Sequence, residues 1–495
     1  MKDVIIMNLS KSRYTKGVTC EKYLWLNCYK PELAEDMGNQ TVFENGNKVG
    51  DLARSLFGDY KLVEYTTDYK KMIDDTKECI DSKEKVICEA SFSYNGNFIS
   101  VDILKVLDNG LEIYEVKSST EVKDIYIDDI SYQTWVLKKL GYNVLKSSIV
   151  YVNNQYIKDG NLNIKDYFVV RDVTELIDLD KVEEKVKELK KVLDSNLEPN
   201  RDLSINCFDP YNCPYFKYCT KKLKSPNVFD LGWGFTTKKK LDLYYKNIIE
   251  YEDLLKSGLL NEKTTNQVQV NLGKKKEIID KDYIKNVLDT LKFPLYFLDF
   301  ESYQDAIPVY DGTKPYQQLC FQYSLHIIDK DGTITHKEYL HDKYDTNPIY
   351  GLCESLCNDI PKDVCVVVYN DGFEKSRLRE MAYLIPELSE HLLNIRENIV
   401  DLLPVFKNQK FYTKDMKGSA SIKYVLPALY PNDEDLNYHN LDQVHKGDEA
   451  SAAYLSLKDL SEDDREILRK NMLKYCELDT YAMVKIYEKL RDVVD

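Results

Sequence analysis

The stretch FPLYFLDFESY, residues 293–303, constrains this chain more than any other. Its unbroken large apolar residues read as a buried strand. Two acids, Asp299 and Glu301, lie two positions apart on it, so both carboxylates leave one face. Such a pair is costly to bury unless it meets a cation or a cationic side chain. The blander reading is a strand end that dips into solvent. Downstream, VVVYNDGFEKSRLREMA places a second strand, then Asn370, Phe373 and Glu374, then a helix. Near the end, KYCELDTYAM sets Tyr475 and Asp479 at i and i+4 on one helix face. Asp299, Glu301, Glu374 and Asp479 would then surround two divalent ions, Mg²⁺ or Mn²⁺, with Tyr475 orienting a water. Asp371, Asp448 and Glu449 are further ligand candidates.

At 495 residues the chain suits two or three domains. Pattern divides it into three regions. Residues 1–225 mix strand signals (VICEASFSY, FISVDILKVL, LEIYEVKSS, SSIVYVN) with helical ones. Residues 226–290 form a lysine-rich, mostly helical linker, and residues 291–495 a second α/β region. No run of about 18 apolar residues suggests a membrane span. The opening MKDVIIMNLSKSRYTKG lacks the features of a secretory signal, so the cytoplasm is the expected location, with no membrane partner. A net charge of −15 argues against a general nucleic-acid coat protein. It leaves room for an enzyme that gathers carboxylates around metals and keeps a local basic path. From Lys217 to Lys240, seven lysines face one acid, Asp230. A solvated linker and a phosphate-contacting surface both fit that stretch.

All six histidines fall at or after His326, so earlier chemistry must rest on Asp, Glu, Lys, Tyr or Cys. In FISVDILKVLDNGLEIYEVKSS, Asp102 is expected to end a strand leading into a hairpin turn at Asp108-Asn109-Gly110, an Asn-Gly turn. The returning strand carries Glu115, Val116 and Lys117. Glu115 and Lys117 share a face, and Asp102 can meet them from the neighbouring strand. The carboxylates suit Mg²⁺, and the lysine can orient a water and offset phosphate charge. Glu89, on the preceding strand, adds a third carboxylate. An amphipathic hairpin with a surface salt bridge is the plainer alternative.

Twelve cysteines in such a chain do not imply disulfides. Cys207, Cys213 and Cys219 stand apart as C-x5-C-x5-C in NCFDPYNCPYFKYC, in a loop held tight by Pro210 and Pro214. Three thiolates need a fourth to close a site, and Cys20 is the candidate. An iron–sulfur cluster, a Cys₄ zinc site and unliganded thiols are all compatible with the spacing.

Asp102…Glu115-Val116-Lys117 resembles the motif of the PD-(D/E)XK nucleases. The following DISYQTWVLKKLGY places Gln133 where RecB-like members carry a further catalytic glutamine. Val101 stands where those enzymes often have proline, and Asp51 near the place of their early histidine. The cysteines resemble those of the iron–sulfur members, the CRISPR-associated RecB-like exonucleases and the AddB nuclease domain. There one early and three late cysteines hold a 4Fe–4S cluster that staples the domain ends. The family's late spacing is C-x2-C-x5-C, whereas the first gap here is longer. In the C-terminal region, Asp299-Phe-Glu301 and Tyr475-x-x-x-Asp479 resemble the first and third motifs of DnaQ-like exonucleases of the DEDDy, RNase H-like kind. Their second motif, N-x-x-F-D, is here Asn370 to Glu374, with Glu in place of Asp.

AIPVYDGTKPYQQLCFQYSLH, GSASIKYVLPALYP and YCELDTYAM resemble, across nearly the whole chain, an uncharacterised bacterial family joining these two domain types. LYYKNIIEYEDLLKSGL resembles the helix-hairpin-helix linkers of two-nuclease proteins, although a plain packing helix also fits. These resemblances imply a metal-dependent nuclease with two acidic sites and a 4Fe–4S cluster. Its C-terminal part would be a 3′–5′ exonuclease, and its partner DNA, as single strands or ends. An RNA-processing 3′–5′ exonuclease, or a nucleic-acid-binding scaffold with one inactive site, are the alternatives.

Overall fold

The computed structural model of the chain describes residues 9–38 and 40–495. The chain is mixed α/β and divides into two compact units. One is residues 1–222 with Asp305–Tyr316; the other is Leu223–Gln304 with Gln317–Asp495. The stretch expected as a separate linker, 226–290, groups with the second unit. Among the described residues, no helix is long and apolar enough to cross a membrane.

The first unit contains β1 (Leu9–Ser10), β2 (Lys61–Leu62), β3 (Val86–Tyr94), β4 (Asn97–Leu107), β5 (Gly110–Lys117), β6 (Val144–Val152) and β7 (Phe168–Asp172). They form one sheet in the order β2-β3-β4-β5-β6-β7, with β1 on β4. β3, β4 and β5 make an antiparallel meander, and β6 runs parallel to β5. A parallel neighbour requires a crossover, which the helix Asp124–Lys139 supplies. Its Ile130, Tyr132, Val136 and Leu137 are fully buried. The strands alternate their apolar residues between two cores: Ile87, Ile113 and Ile149 on one face, Cys88, Tyr114 and Val150 on the other. Two local expectations change. Asp102 lies inside β4, not at its end. The β4–β5 turn is Asp108–Asn109, fixed by the pair Leu107↔Gly110. The Asn-Gly turn with both φ positive, 47° and 71°, is Asn95–Gly96, between β3 and β4.

The second unit contributes β8 (Ile278–Ile279), β9 (Leu295–Gln304), β10 (Gln318–Ile328), β11 (Ile334–Leu340), β12 (Cys365–Val368), β13 (Ile399–Asp401) and β14 (Phe411–Tyr412). β8 and β14 form a small ladder, and the rest one sheet ordered β11-β10-β9-β12-β13. β9 is its middle strand, antiparallel to β10 and parallel to β12. A strand covered on both faces must be apolar almost throughout, which accounts for the run that marks it in the sequence. β9 continues past both acids to Gln304, so the strand-end reading of Asp299 and Glu301 fails. The helix Glu462–Val494 packs on β9 and β10. Ser461 caps it by accepting from Asp464 N, and Glu462, Asp463 and Asp464 complement its positive end. Thr237–Tyr245, Tyr251–Ser257 and Glu262–Asn271 are helices around a small core that includes Leu231, Leu254 and Val268.

Candidate metal centres

In the second unit, ligand oxygens of Asp299, Glu301 and Asp479 all lie within 4.8 Å of one another. β9 presents the first two and the helix Glu462–Val494 the third. Burial, followed by the charges of Asp479, Glu301 and Glu374, pushes Asp299 well above the carboxylate range. Burial and then Asp479 push Glu301 up to about 8. Burial lifts Asp479 to about 6, against the opposing pull of a Tyr438 hydrogen bond and the Lys423 charge. Tyr438 Oη donates to Asp479 Oδ1 at 2.7 Å. Tyr475, one turn before Asp479, is buried beside Asp479, Glu301 and Asp299, and its hydroxyl is held protonated. Lys423 Nζ stands 3.4 Å from Tyr475 Oη and lies over both tyrosine rings.

Glu374 is near this group but outside the 4.8 Å set. It is buried in the first turn of the helix Asp371–Leu384, with Oε2 lacking a hydrogen-bond partner. Burial, then Asp401 and Asp371, lift it to about 8. Asn370 leads into this turn with φ 84°, a strained value for a non-glycine residue. Asp371 instead pairs with Lys375 at 2.6 Å, Asp448 with Lys446 at 2.8 Å, and Glu449 with His445 at 3.1 Å. Sequence reasoning missed Lys423 and Tyr438. Lys423 lies in a segment notable only for family resemblance, and Tyr438 in a stretch without periodicity.

The acids of the first unit have a different environment. Asp102 Oδ2 accepts Val116 N at 2.7 Å, and Lys11 Nζ reaches Asp102 at 3.3 Å and Glu115 at 2.9 Å. Lys117 Nζ bridges Glu115 at 2.6 Å and Asp129 at 2.7 Å. Gln133 Nε2 donates to Glu115 at 2.7 Å and to Asp129 at 3.2 Å. Burial alone would raise Glu115, but Lys11 and Lys117 outweigh it and hold the carboxyl well below its usual range. Burial and then Glu115 lift Asp102 to about 7, with Lys11 opposing. Lys117 is raised despite burial, chiefly by Asp129 and Glu115. Glu89 stands opposite Asp102, between the pairs Cys88↔Ile103 and Ala90↔Val101, with φ 58° in mid-strand. Its carboxylate lies 3.7 Å from Arg54, which also holds Asp51 at 2.9 Å. Lys11 and Asp129 were not foreseen. Asp129 had a signal, since it precedes Gln133 by one helical turn.

Cys20, Cys207, Cys213 and Cys219 line one pocket of the first unit, together with Tyr23 and Tyr215. None is in a disulfide. Burial pushes the Cys213 thiol up to about 11 and raises those of Cys207 and Cys219. Ser204 N donates to Cys207 Sγ at 3.5 Å. Trp25, Leu26 and Tyr215 pack beside the pocket and join the early helix to the late loop.

The lysine-rich stretch is partly committed to structure. Lys224 pairs with Glu250 at 2.9 Å, Lys221 lies 3.8 Å from the Tyr218 ring centre, and Lys240 donates to Phe229 O at 3.0 Å.

Residues 296–421 match a domain of unknown function, DUF2779. That span takes in Asp299, Glu301 and Glu374 and stops before Tyr475. The chain is 30% identical over 227 residues to an uncharacterized protein of Mycoplasma genitalium, covering 42% of this chain and 34% of that one. To the homolog in Mycoplasma pneumoniae it is 30% identical over 237 residues, 44% and 35% of the two chains. To an uncharacterized protein of Ureaplasma parvum it is 27% identical over 247 residues, 46% and 36%. The matches span about a third of the length of these relatives. Each of these matches covers less than half of this chain.

Proposed function

We propose that the second unit is a DnaQ-like, metal-dependent 3′–5′ exonuclease of the RNase H-like fold, acting on DNA. The observation that carries this reading is the clustering of Asp299, Glu301 and Asp479, whose ligand oxygens lie within 4.8 Å of one another, with Lys423 acting on them by its charge and not as an ion-pair partner. Three acids with raised pKa values, Glu301 and Asp479 buried and Asp299 half-buried, fit a hard divalent cation, Mg²⁺ or Mn²⁺. When bound, such ions supply water activation and charge stabilisation for phosphodiester cleavage. Tyr475, kept protonated, donates a hydrogen bond toward the attacking water. Lys423 adds positive charge for the phosphate. Glu374, with its orphan Oε2, completes the acid set by swinging one methylene further than the usual aspartate.

We infer that the first unit is a RecB-like PD-(D/E)XK nuclease domain, with Asp102, Glu115 and Glu89 as metal ligands and Lys117 and Gln133 as positioning groups. Here Lys11 holds the space between Asp102 and Glu115 that a cation would take. This supports the alternative in which the first site is silent until Lys11 moves. The four cysteines line one pocket and supply the thiolate set that a 4Fe–4S cluster takes.

The test is digestion of end-labelled single-stranded DNA and RNA by the full chain with Mn²⁺. Asp299→Asn and Asp479→Asn should each abolish 3′–5′ trimming. Undiminished trimming in both would sink the proposal, and preference for RNA would move the chain to the RNA-processing alternative.

A further inference from the structure

A second group of ligand atoms in the same unit shares no residue with the acid cluster. His326 on β10 and His336 on β11 are directly paired across the strands, their ring centres 4.5 Å apart. With Glu477 from the helix Glu462–Val494, they place three ligand atoms within 4.8 Å of one another. His326 is buried, His336 half-buried and Glu477 exposed, so the group opens to solvent on one side.

The hydrogen bonds around the two rings determine which nitrogens are free. Thr480 Oγ1 lies 3.1 Å from Glu477 O, 2.8 Å from His326 Nδ1 and 2.7 Å from Ser324 Oγ. Ser324 Oγ lies 2.9 Å from His336 Nε2. The Glu477 carbonyl can only accept, so the single Thr480 hydroxyl proton goes there. His326 Nδ1–H and the Ser324 hydroxyl must then both donate to Thr480. With its own proton spent, Ser324 accepts from His336 Nε2–H. With both rings neutral, only this arrangement satisfies all four contacts. It leaves His326 Nε2 and His336 Nδ1 as bare lone pairs, and His336 Nδ1 already lies 4.0 Å from a Glu477 oxygen. An acceptor that holds a ring's outer N–H is the usual device for aiming an imidazole at a metal, and here hydroxyl oxygens take that place. Glu338, two residues after His336 and on the same strand face, is close enough to feel both His336 and Glu477.

We propose that His326 Nε2, His336 Nδ1 and the Glu477 carboxylate form a zinc site that ties the helix Glu462–Val494 to the β10–β11 hairpin. Two imidazoles and one carboxylate match the borderline softness of Zn²⁺, with a fourth position open to water. Ligand atoms on a tetrahedral zinc lie about 3.4 Å apart at bonds of about 2.0–2.1 Å. Exposed Glu477 can close the remaining distance by rotation. The helix held in this way also carries Tyr475 and Asp479, but the proposal does not depend on the nuclease reading.

The metal-stripped chain, dialysed against micromolar Zn²⁺ and assayed for bound metal, tests this. His336→Ala and Glu477→Ala, both at solvent-reached positions, should each bind one zinc fewer than the wild type. Asp299→Asn and Cys20→Ser should retain that zinc. Thr480→Val should weaken it about 10–100-fold by freeing the His326 tautomer. Co²⁺ at the site should show weak visible bands without thiolate charge transfer. Equal zinc content in the wild type, His336→Ala and Glu477→Ala would overturn the proposal. So would a zinc lost only in Cys20→Ser or Asp299→Asn.

Discussion

Asp299, Glu301 and Asp479 concentrate negative charge where water is scarce, and this sets a pH dependence. Their folded-state pKa values lie above the ordinary carboxylate value, so the folded chain holds protons that the unfolded chain has released. Their contribution to stability is full below about pH 4 and is lost as pH rises through about 6 and about 8. The Tm of metal-free protein should therefore fall across that window, and Mn²⁺ should restore it. In Asp299→Asn the fall should be shallower, because one of the repelling charges is gone. A Tm independent of pH and of Mn²⁺ would contradict the cluster as described. Lys11 plays the reverse role in the first unit, where it already neutralises Glu115. Lys11→Met should cost about 1–3 kcal/mol by leaving a buried charge with one fewer partner. Urea unfolding followed by tryptophan fluorescence can read this, since Trp25 and Trp135 belong to that unit. Millimolar Mn²⁺ should recover more stability in this variant than in the wild type.

At the scale of elements, the loop before Lys423 depends on a close approach. A Cβ on Gly232 would lie 1.8 Å from Gly418 O, and one on Gly418 would meet Gln267 Nε2 at 2.2 Å with φ +74°. Gln267 is itself fixed, accepting from Gly232 N at 2.9 Å and donating to Asp230 O at 2.9 Å. Gly418→Ala should therefore cost about 2–4 kcal/mol, from strain and a clash together. It should also lower the proposed exonuclease activity in the surviving folded fraction by displacing Lys423; unchanged Tm and activity would refute this. Elements of this kind divide the sequence-legible from the rest. β9 is legible because a twice-covered strand must be apolar, and Asp299 with Glu301 because strand spacing places them together. Tyr475 and Asp479 follow from helix spacing. Lys11, Tyr438 and Lys423 reach their sites through long-range packing that leaves no local period. The β4–β5 turn falls within the expected Asp108-Asn109-Gly110, but the Asn-Gly pair with both φ angles positive is Asn95–Gly96, in the preceding hairpin.

For the molecule as a whole, two centres on one chain predict separable losses. Asp299→Asn should remove 3′ trimming and leave any first-unit cleavage, while Lys117→Ala should do the opposite. Cys213→Ser should lower iron content and first-unit cleavage without changing 3′ trimming. If one substitution removes every activity, the assignment of two centres is wrong. The division of the chain also bears on its synthesis. Asp305–Tyr316 belongs to the first unit: Ala306 is buried in its core and accepts from Tyr167 Oη at 2.9 Å, while Tyr316 Oη meets Ser118 Oγ at 2.7 Å, beside Lys117. The first unit therefore cannot be completed when the ribosome passes Lys222. Roughly 90 further residues must emerge, about 5–20 s at ordinary elongation rates, while that core waits with an open seam. Birth order and folding order differ in this chain, and chaperone contact would be concentrated in that interval.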